Sequence, residues 1–458
     1  MDQFHAKGEN NEQTYEFEEI DTQDMRLHTP VDIEGPPSDL SKTTCTRSLS
    51  RLTIFLALLS AVLLVVLVIS TLTHTACPTS TLISPSPSSP SLHTSALYTL
   101  DATWHPQFPR GAHTFSAVTI ARLSHRDCEF MGCGQSVSSM LYVTQRGNIT
   151  LPPVMALNTT TGAMVYSWGD DGTIAQDPET STWGAHGIVA EDCPSTCNGG
   201  PTLQPRTRIW ICDFTGHTLT AHSADTGSSV LGIGTKGVAG VGTNPLQFDR
   251  LADAAVELAS DGKTAYTYVA DGDGGSANRV VKVASPLQSI DEYSVVWATS
   301  AIFNNPHSIA LHPRTHTLLV ADRENEAVHL LDAHSGADLG VLRGAVGLWG
   351  GDHGKPFSVR TLSFASSNQT LDLIFVSVMD NPQDGGNQRI VVIDASSVSS
   401  GMSWTNQECS VVQVLNIHPK LYSGPHMLTL DPATGDLYAA LVADDPLSTV
   451  LRFRCVGC

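Results

Sequence analysis

Short apolar runs separated by turn residues fill the chain from about residue 96 to its end. They are rich in Val, Ile, Leu and Tyr, are bounded by Gly, Asp, Asn and Pro, and show no sustained helical period. The clearest runs are MLYVTQ, PVMALN, RIWICDF, TAYTYVAD, RVVKVA, HSIALH, TLLVAD, AVHLLDA, DLIFVSV, RIVVIDA, MLTLDP and TVLRFRC. This pattern predicts an all-β domain over residues 96–458.

One segment of this domain predicts four strands in a single unit. Residues 306–342 comprise an inner strand, a second strand ending in Ala-Asp, a third containing Val-His-Leu-Leu, and an outer Gly-Val-Leu. Related units begin near Ser139, His186, Phe248, Val359 and His426. Six small sheets that cannot bury their faces alone predict radial stacking into a six-bladed β-propeller. A large β-sandwich is the alternative, but it would not require the repeat.

Three of the units carry a histidine just before their first strand. These are His186 in WGAHGIVAE, His307 in NNPHSIALH and His426 in SGPHMLTLD, which are 121 and 119 residues apart. One unit without the histidine lies between each pair, so in a six-bladed ring the three imidazoles converge near the axis. Three histidines with an open fourth position are typical of a catalytic zinc site. The alternative is that each histidine only hydrogen-bonds backbone where its blade begins.

An uncharged apolar segment, LTIFLALLSAVLLVVLVISTLT, covers residues 52–73. It is long enough to cross a bilayer as a helix. Lys42, Arg47 and Arg51 precede it, whereas no Lys or Arg follows until Arg110. The positive-inside rule therefore predicts a type II, single-pass signal anchor with a cytosolic N-terminus. A buried helix and a cleaved signal peptide are the alternatives, but the first rarely lacks charge throughout and the second rarely follows so long a segment.

The segments on either side of the predicted span have the composition of chains that do not fold. Residues 1–51 form an acidic tail in which the first fifty residues hold eleven Asp and Glu against four Lys and Arg, which predicts disorder in the cytosol. Residues 74–95 are rich in Ser, Thr and Pro and predict an extended stalk. The formal charge of −20 for the whole chain argues against a nucleic-acid partner.

Cysteines and glycosylation sequons agree with a lumenal or extracellular domain. Nine of the ten cysteines follow the span, where disulfides persist, and sequons occur at Asn148, Asn158 and Asn368. Cys212 lies in an apolar run, which a buried position would explain. The plausible pairs are Cys128 with Cys133, Cys193 with Cys197, and Cys409 with Cys455 or Cys458, although sequence cannot establish connectivity.

The units resemble NHL repeats, and the domain is similar to the lyase domain of the peptidylglycine α-amidating enzymes. That domain is a six-bladed propeller that cleaves peptidyl-α-hydroxyglycine to a peptide amide and glyoxylate. The similarity covers most of residues 139–453. It is strongest at PHSIALHPRTHTLLVADREN and continues at VTQRGN, IWICDF, YVADG and GPHMLTLDPATGDLY. The resemblance implies a zinc cofactor at His186, His307 and His426.

The resemblance also implies roles for other residues of the site. Arg146 of VTQRGN and Arg323 of ADREN fall on arginines of the active-site mouth, where a guanidinium is suited to hold the carboxylate of departing glyoxylate. The catalytic tyrosine of the family falls on Asp273, which we interpret as a candidate base or as a group touching the metal. The acidic residue that helps to bind a structural calcium falls on Met427, so calcium lacks its usual ligand.

Three functions are compatible with these features. The main expectation is a membrane-anchored, metal-dependent lyase acting on α-hydroxyglycine ends of secretory peptides. A related metal-dependent hydrolase or lyase with a different substrate is one alternative. The other is a non-catalytic NHL propeller that binds a protein or glycan ligand on its top face. Three histidines and two arginines favour an enzyme, and the replaced tyrosine favours a binding module.

Overall fold

The structure is a computed structural model that describes residues 96–122, 139–191, 207–287, 292–300, 302–343, 354–365, 370–379, 388–398, 409–417, 424–442 and 449–456. No helix within these ranges is long and apolar enough to cross a membrane. The predicted tail, span and stalk, residues 1–95, lie outside the described residues. The same holds for Asn368, Cys128, Cys133, Cys193, Cys197 and Cys458, so the pairs Cys128–Cys133 and Cys193–Cys197 remain predictions. Cys409 is a buried thiol, whereas Cys455 forms a disulfide, so the predicted pair of Cys409 with Cys455 is wrong.

Six four-stranded antiparallel sheets form the domain, which confirms the predicted six-bladed β-propeller. The outermost strand of the sixth blade is β1 (Tyr98–Leu100). Blade 1 contains β2 (Phe115–Arg122), β3 (Ser139–Gln145), β4 (Val154–Asn158) and β5 (Met164–Trp168). A short hairpin of β6 (Gln176–Asp177) and β7 (Thr182–Trp183) leads to blade 2, which contains β8 (Ala185–Glu191), β9 (Arg208–Asp213), β10 (Thr218–Ser223) and β11 (Ser229–Gly234).

The remaining blades follow in chain order. Blade 3 contains β12 (Leu251–Leu258), β13 (Thr264–Asp271), β14 (Arg279–Pro286) and β15 (Ser294–Ala298). Blade 4 contains β16 (Pro306–His312), β17 (Thr317–Asp322), β18 (Ala327–Asp332) and β19 (Asp338–Arg343). Blade 5 contains β20 (Lys355–Ala365), β21 (Thr370–Met379), β22 (Gln388–Asp394) and β23 (Ser410–Ile417). Blade 6 contains β24 (Gly424–Leu430), β25 (Leu437–Val442), β26 (Val450–Cys455) and β1.

The first strand of each blade lies innermost. Strands β2, β8, β12, β16, β20 and β24 each contact the first strands of both neighbouring blades, so that the six close into a ring. Strand β8 is buried or half-buried throughout, whereas the outermost strand β15 alternates between exposed and half-buried residues. This gradient from axis to rim is the one expected of a propeller.

The hydrophobic core lies between the blades. Six apolar clusters occur among the described residues, and each of them draws its members mainly from two neighbouring blades. Each sheet therefore buries its faces only against its neighbours, which is the physical reason for the repeat.

Blade 4 has the four strands predicted from residues 306–342, with β17 ending in Ala321-Asp322. The predicted start of the first unit near Ser139 is wrong, because Ser139 begins the second strand of blade 1. That blade begins at Phe115, and β2 is separated from β3 by residues 123–138, a connection as long as the one between β8 and β9 and longer than those in blades 3 to 6.

Candidate metal centre

A β-bulge at the same place in every blade builds one layer around the axis. The pairing of first and second strand skips one residue in each blade, and bulges of this kind redirect a side chain. The skipped residues, in chain order, are Ser116, His186, Ala252, His307, Phe357 and His426. The three histidines therefore occupy every second position of the layer.

The structure brings His186, His307 and His426 together. One nitrogen of each ring lies within 4.8 Å of the corresponding atoms of the other two, and the ring centroids are 4.7 to 5.1 Å apart. All three residues are buried, with 1%, 0% and 6% of their surface exposed. This spacing and chemistry could hold one transition-metal ion.

Each imidazole is oriented by the blade that follows its own. His186 Nδ1 donates to Ala252 O at 2.7 Å, and His307 Nδ1 donates to Phe357 O at 2.7 Å. His426 Nδ1 donates to Ser116 O at 2.6 Å, which continues the pattern across the ring closure. Since a neutral imidazole carries one proton, these bonds leave Nε2 as an acceptor, and such outer partners are typical of metal-binding histidines.

Electrostatics keeps at least two of these rings neutral. Burial lowers the pKa of His307 to about 3, and the Asp273 carboxylate offsets this only in part. Burial and the neighbouring His307 lower the pKa of His426 well below its usual range. His307 Nε2 is buried and has no hydrogen-bond partner within the described structure. A bound cation would satisfy this nitrogen, so the three histidines fit a zinc-type ion.

The side chain of Asp273 lies beside the histidines. Its Oδ2 is 3.1 Å from His186 Nε2 and 3.9 Å from His307 Nε2, and its Oδ1 is 3.1 Å from Arg323 Nη1. Burial raises the pKa of Asp273, but the imidazoles of His307 and His186 and the Arg323 guanidinium outweigh it, so that this pKa lies well below its usual range. Asp273 is therefore a paired carboxylate and a weak candidate for a general base.

The backbone around Asp273 explains why this side chain reaches the axis. Gly272 and Gly274 flank it with φ angles of +141° and +68°, a region that favours glycine. A Cβ on Gly272 would meet Asn278 N at 2.5 Å. The backbone N–H of Asp273 donates to Arg250 O at 2.9 Å, which fixes the loop against the start of blade 3.

Arg146, Phe214, Arg250, Asp273 and Arg323 form what we call the mouth of the axial channel. Four of them follow the second strand of blades 1 to 4, and Arg250 precedes the first strand of blade 3. In antiparallel blades the end of the second strand pairs with the start of the first, as in the pairs Asp213↔Ala185 and Asp322↔Pro306. The mouth therefore lies at the same edge as the histidine layer.

The three arginines of the mouth are held differently. Arg323 contacts Asp273, donates from Nε to Glu324 at 2.9 Å, and packs over the ring of Phe357. Arg146 donates from Nε to Trp183 O, and its guanidinium carbon lies 5.1 Å from the Phe214 ring centre. Burial lowers the pKa of Arg146, an effect that Asp273 opposes. Within the described residues the terminal nitrogens of Arg146 donate no hydrogen bond.

Sequence reasoning missed three of the residues around the centre. Arg250 is exposed, with its guanidinium carbon 5.2 Å from the Phe214 ring centre. The Phe214 ring also stacks on His186, with centroids 5.7 Å apart, and Phe357 fills the bulge position between His307 and His426. Phe214 lies in the matched IWICDF run, and Phe357 lies fifty residues after His307, so an alignment of the units could have found both.

The position proposed for calcium does not fit that ion. Met427 is fully buried in the apolar cluster of blades 1 and 2 and offers no oxygen. The equivalent position of blade 3 is Asp253, which is also fully buried. Its Oδ2 already accepts hydrogen bonds from Ser308 Oγ at 2.8 Å and from Arg360 Nη1 at 2.8 Å. A guanidinium therefore already supplies the positive charge beside this carboxylate.

Two of the three predicted glycosylation sites lie in the described residues. Asn148 is half-buried, and its Nδ2 donates to Gly111 O at 3.1 Å. Asn158 ends β4, and its Oδ1 accepts the backbone N–H groups of Thr160 and Thr161. Cys212 is buried in the cluster between blades 2 and 3, as its apolar context suggested.

Comparisons with known proteins match the fold described above. No family profile matches the chain. Over 350 residues it is 28% identical to NHL repeat-containing protein 3 of Homo sapiens, a match that covers 75% of this chain and 81% of that protein. The Mus musculus protein of the same name is 27% identical over 354 residues, with the same shares covered.

One solved structure with partial similarity is the PQQ-bound form of aldose sugar dehydrogenase from Streptomyces coelicolor. It is 9% identical to this chain, with a TM-score of 0.42, and the match covers 78% of this chain and 97% of that one. The resemblance to the amidating lyase domain stays a prediction. The six blades and the similarity to NHL repeat-containing protein 3 together fit an NHL-type propeller.

Proposed function

We propose that the domain is a non-catalytic NHL-type propeller that holds a zinc ion on its axis and binds an anionic protein or glycan ligand at the mouth. The observation that carries this proposal is the position of the Asp273 side chain. Its two oxygens lie 3.1 Å from His186 Nε2 and 3.1 Å from Arg323 Nη1. An acidic side chain of the chain itself therefore lies where an anionic substrate would need to bind.

Lyase chemistry of the resembled type needs three things at this place. A zinc ion held by the histidines would supply Lewis acidity toward a substrate oxygen, a guanidinium would hold the carboxylate, and a base would remove a proton. Here Arg323 is already paired with Asp273 and Glu324. Asp273 is a poor base, because its pKa lies well below the usual range.

The remaining arginines support an anionic ligand. Arg146 and Arg250 both pack on Phe214, and neither forms an ion pair within the described structure. Guanidinium groups held against an aromatic ring are pre-organised donors for carboxylate, sulfate or phosphate groups. Two guanidinium charges at one edge of a chain whose formal charge is −20 make this edge the place where an anion would be attracted locally.

This proposal can be tested by measuring how the full-length chain binds to an array. The chain is purified in detergent without chelator. The array carries sulfated, sialylated and neutral glycans together with carboxylate-rich and neutral peptides. We expect retention on anionic members only, and at least a roughly tenfold loss in the Arg146→Gln/Arg250→Gln double variant. Arg454→Gln, on an exposed arginine of blade 6, is the matched control. Equal retention on neutral members would contradict the proposal.

An activity assay tests the non-catalytic part separately. The zinc-loaded chain is expected to release no glyoxylate from a peptidyl-α-hydroxyglycine above the rate in buffer. Release that the His307→Ala variant abolishes would contradict the proposal.

A lyase remains the second candidate, favoured by the three converging imidazoles and by Arg146, whose terminal nitrogens donate no hydrogen bond within the described residues. Asp273→Tyr would restore the residue that the resemblance implies and remove one of the two carboxylate partners of Arg323. The variant is then expected to release glyoxylate. If Asp273→Tyr binds zinc and still releases none, this second candidate is wrong.

A further inference from the structure

We infer that Asp273 is the fourth protein ligand of the ion held by His186, His307 and His426, so that the centre is closed to exogenous ligands. This rests on the proposed function, which assigns an ion to the three histidines, and it goes further by specifying how the chain completes the coordination. Zinc sites with four protein ligands are structural, whereas catalytic sites keep one position open.

The distances fit a shared ion. Ligand atoms at the corners of a tetrahedron around zinc lie about 3.3 Å apart, given zinc–nitrogen and zinc–oxygen bonds of about 2.0 Å. Asp273 Oδ2 lies 3.1 Å from His186 Nε2 and 3.9 Å from His307 Nε2. These two separations bracket the expected edge. Asp273 lies outside the group whose ligand atoms are all within 4.8 Å of one another, so binding of the ion would have to draw the Asp273 carboxylate and the His426 imidazole closer together.

The hydrogen-bond pattern requires a positive charge between these atoms. Because His186 Nδ1 donates to Ala252 O, the Nε2 of a neutral ring is an acceptor. The carboxylate oxygen facing it is also an acceptor, and two acceptors 3.1 Å apart repel each other unless a proton or a metal ion lies between them. His307 Nε2, buried without a hydrogen-bond partner in the described structure, faces the same point, and a single proton cannot serve both rings.

The surroundings of Asp273 hold its side chain in place. Arg323 binds the second oxygen, which leaves Oδ2 to face the histidines. Arg250 accepts the Asp273 N–H through its carbonyl, and its guanidinium donates to Gly274 O at 3.4 Å. Outer-sphere partners of this kind orient the ligands of metal centres. Only 12% of the Asp273 side chain is exposed, so solvent has little access to this carboxylate.

Cobalt substitution of the full-length chain tests the inference without an activity assay. The chain is stripped with chelator and reloaded with Co(II), its metal content is measured by elemental analysis, and its visible spectrum is recorded with and without azide. For the wild type we expect one ion per chain, the intense bands of four-coordinate Co(II), and no response to azide. Asp273→Ala should hold the ion about 10- to 100-fold more weakly, and its spectrum should change with azide.

Further variants separate the possible outcomes. Asp273→Asn keeps the shape of the side chain and should behave like Asp273→Ala if a charged ligand has been lost. Asp261→Ala, in the exposed turn of the same blade, should match the wild type. A wild-type spectrum that responds to azide as the variants do would overturn the inference while leaving the ion in place. A wild type that holds no metal would overturn the zinc part of the proposed function and the inference with it.

Discussion

Gly187 directly follows His186 in β8, at the point where blade 2 meets blade 3. A Cβ at this residue would meet Ala252 O at 2.4 Å and Asp253 Cα at 2.8 Å. Ala252 O is the acceptor that orients His186, and Asp253 is the buried partner of Arg360. The absence of a side chain at residue 187 therefore permits the backbone contact that orients one of the three imidazoles.

Gly187→Ala is expected to weaken both the fold and the metal centre. The added methyl group must push the backbone of blade 3 away, and overpacking of this kind costs about 1–3 kcal/mol. Because the Ala252 carbonyl moves, metal retention should fall as well. Gly232→Ala is the control, since a Cβ there meets nothing within 4 Å. Urea unfolding and metal analysis of both variants check this prediction. Equal losses of stability and metal content in Gly187→Ala and Gly232→Ala would contradict it.

His312 is buried in blade 4 and accepts hydrogen bonds from Thr315. Burial lowers its pKa from 6.5 to about 4. As the pH falls through this window the unfolded chain gains a proton that the folded chain does not, so stability decreases. His312→Asn should make the loss of stability between these pH values less steep. His334→Asn, on an exposed histidine of the same blade, should follow the wild type in pH-dependent urea titrations.

In blades 2, 3 and 4 an acidic residue at the end of the second strand ties the blade to the loop that precedes its first strand. Asp213, Asp271 and Asp322 are all fully buried. They accept the backbone N–H groups of Ala175, Asp249 and Asn304, which precede the first strands of their own blades. In blade 4 this contact fixes the segment that leads directly into His307. The carboxylate of Asp322, at the end of the second strand, thus helps to position His307 at the start of the first strand.

Asp322→Ala is expected to release that segment. The variant leaves the Asn304 N–H unsatisfied and removes the hydrogen bond of 2.6 Å that Asn325 Nδ2 donates. We expect the free energy of unfolding to fall by about 1–3 kcal/mol. The affinity for the metal should decrease in parallel, because the loop before His307 is no longer held. Asp338→Ala removes only an exposed bond to Gly340 and should stay within about 0.5 kcal/mol of the wild type. Calorimetry and metal titration of both variants check this prediction. It is wrong if Asp338→Ala loses as much stability and metal affinity as Asp322→Ala.

The predictability of this molecule varies from element to element. Blade 4 could be predicted strand by strand, because its connections are tight turns and its apolar runs are continuous. The start of blade 1 could not, because residues 123–138 separate its first two strands and its bulge position holds Ser116, whereas the equally interrupted blade 2 is marked by His186. The meeting of the histidines follows from equal spacing in a ring. The contact of Asp273 with His186 depends on the backbone of Gly272 and Gly274, and residue spacing carries no signal of it.

The position of the domain relative to a membrane is still a prediction. If residues 52–73 anchor the chain as a type II protein, protease added to intact microsomes should leave the propeller undigested, and a glycosidase should reduce its mass. Within the described residues Asn158 Nδ2 has no partner, whereas Asn148 Nδ2 is bonded to Gly111. Asn158→Gln should therefore remove one glycan. Digestion of the propeller without detergent would show that the orientation is wrong.

The strand that completes blade 6 comes from the N-terminal side of the domain. Only three residues of β1 pair with β26, and Gln413 of blade 5 adds two hydrogen bonds to Tyr98. A pulling force transmitted through the residues before Tyr98 would load this short seam before any other part of the ring. Tension on the N-terminal segment is therefore expected to detach β1 from blade 6 first, while the histidine layer, on the innermost strands, is loaded last.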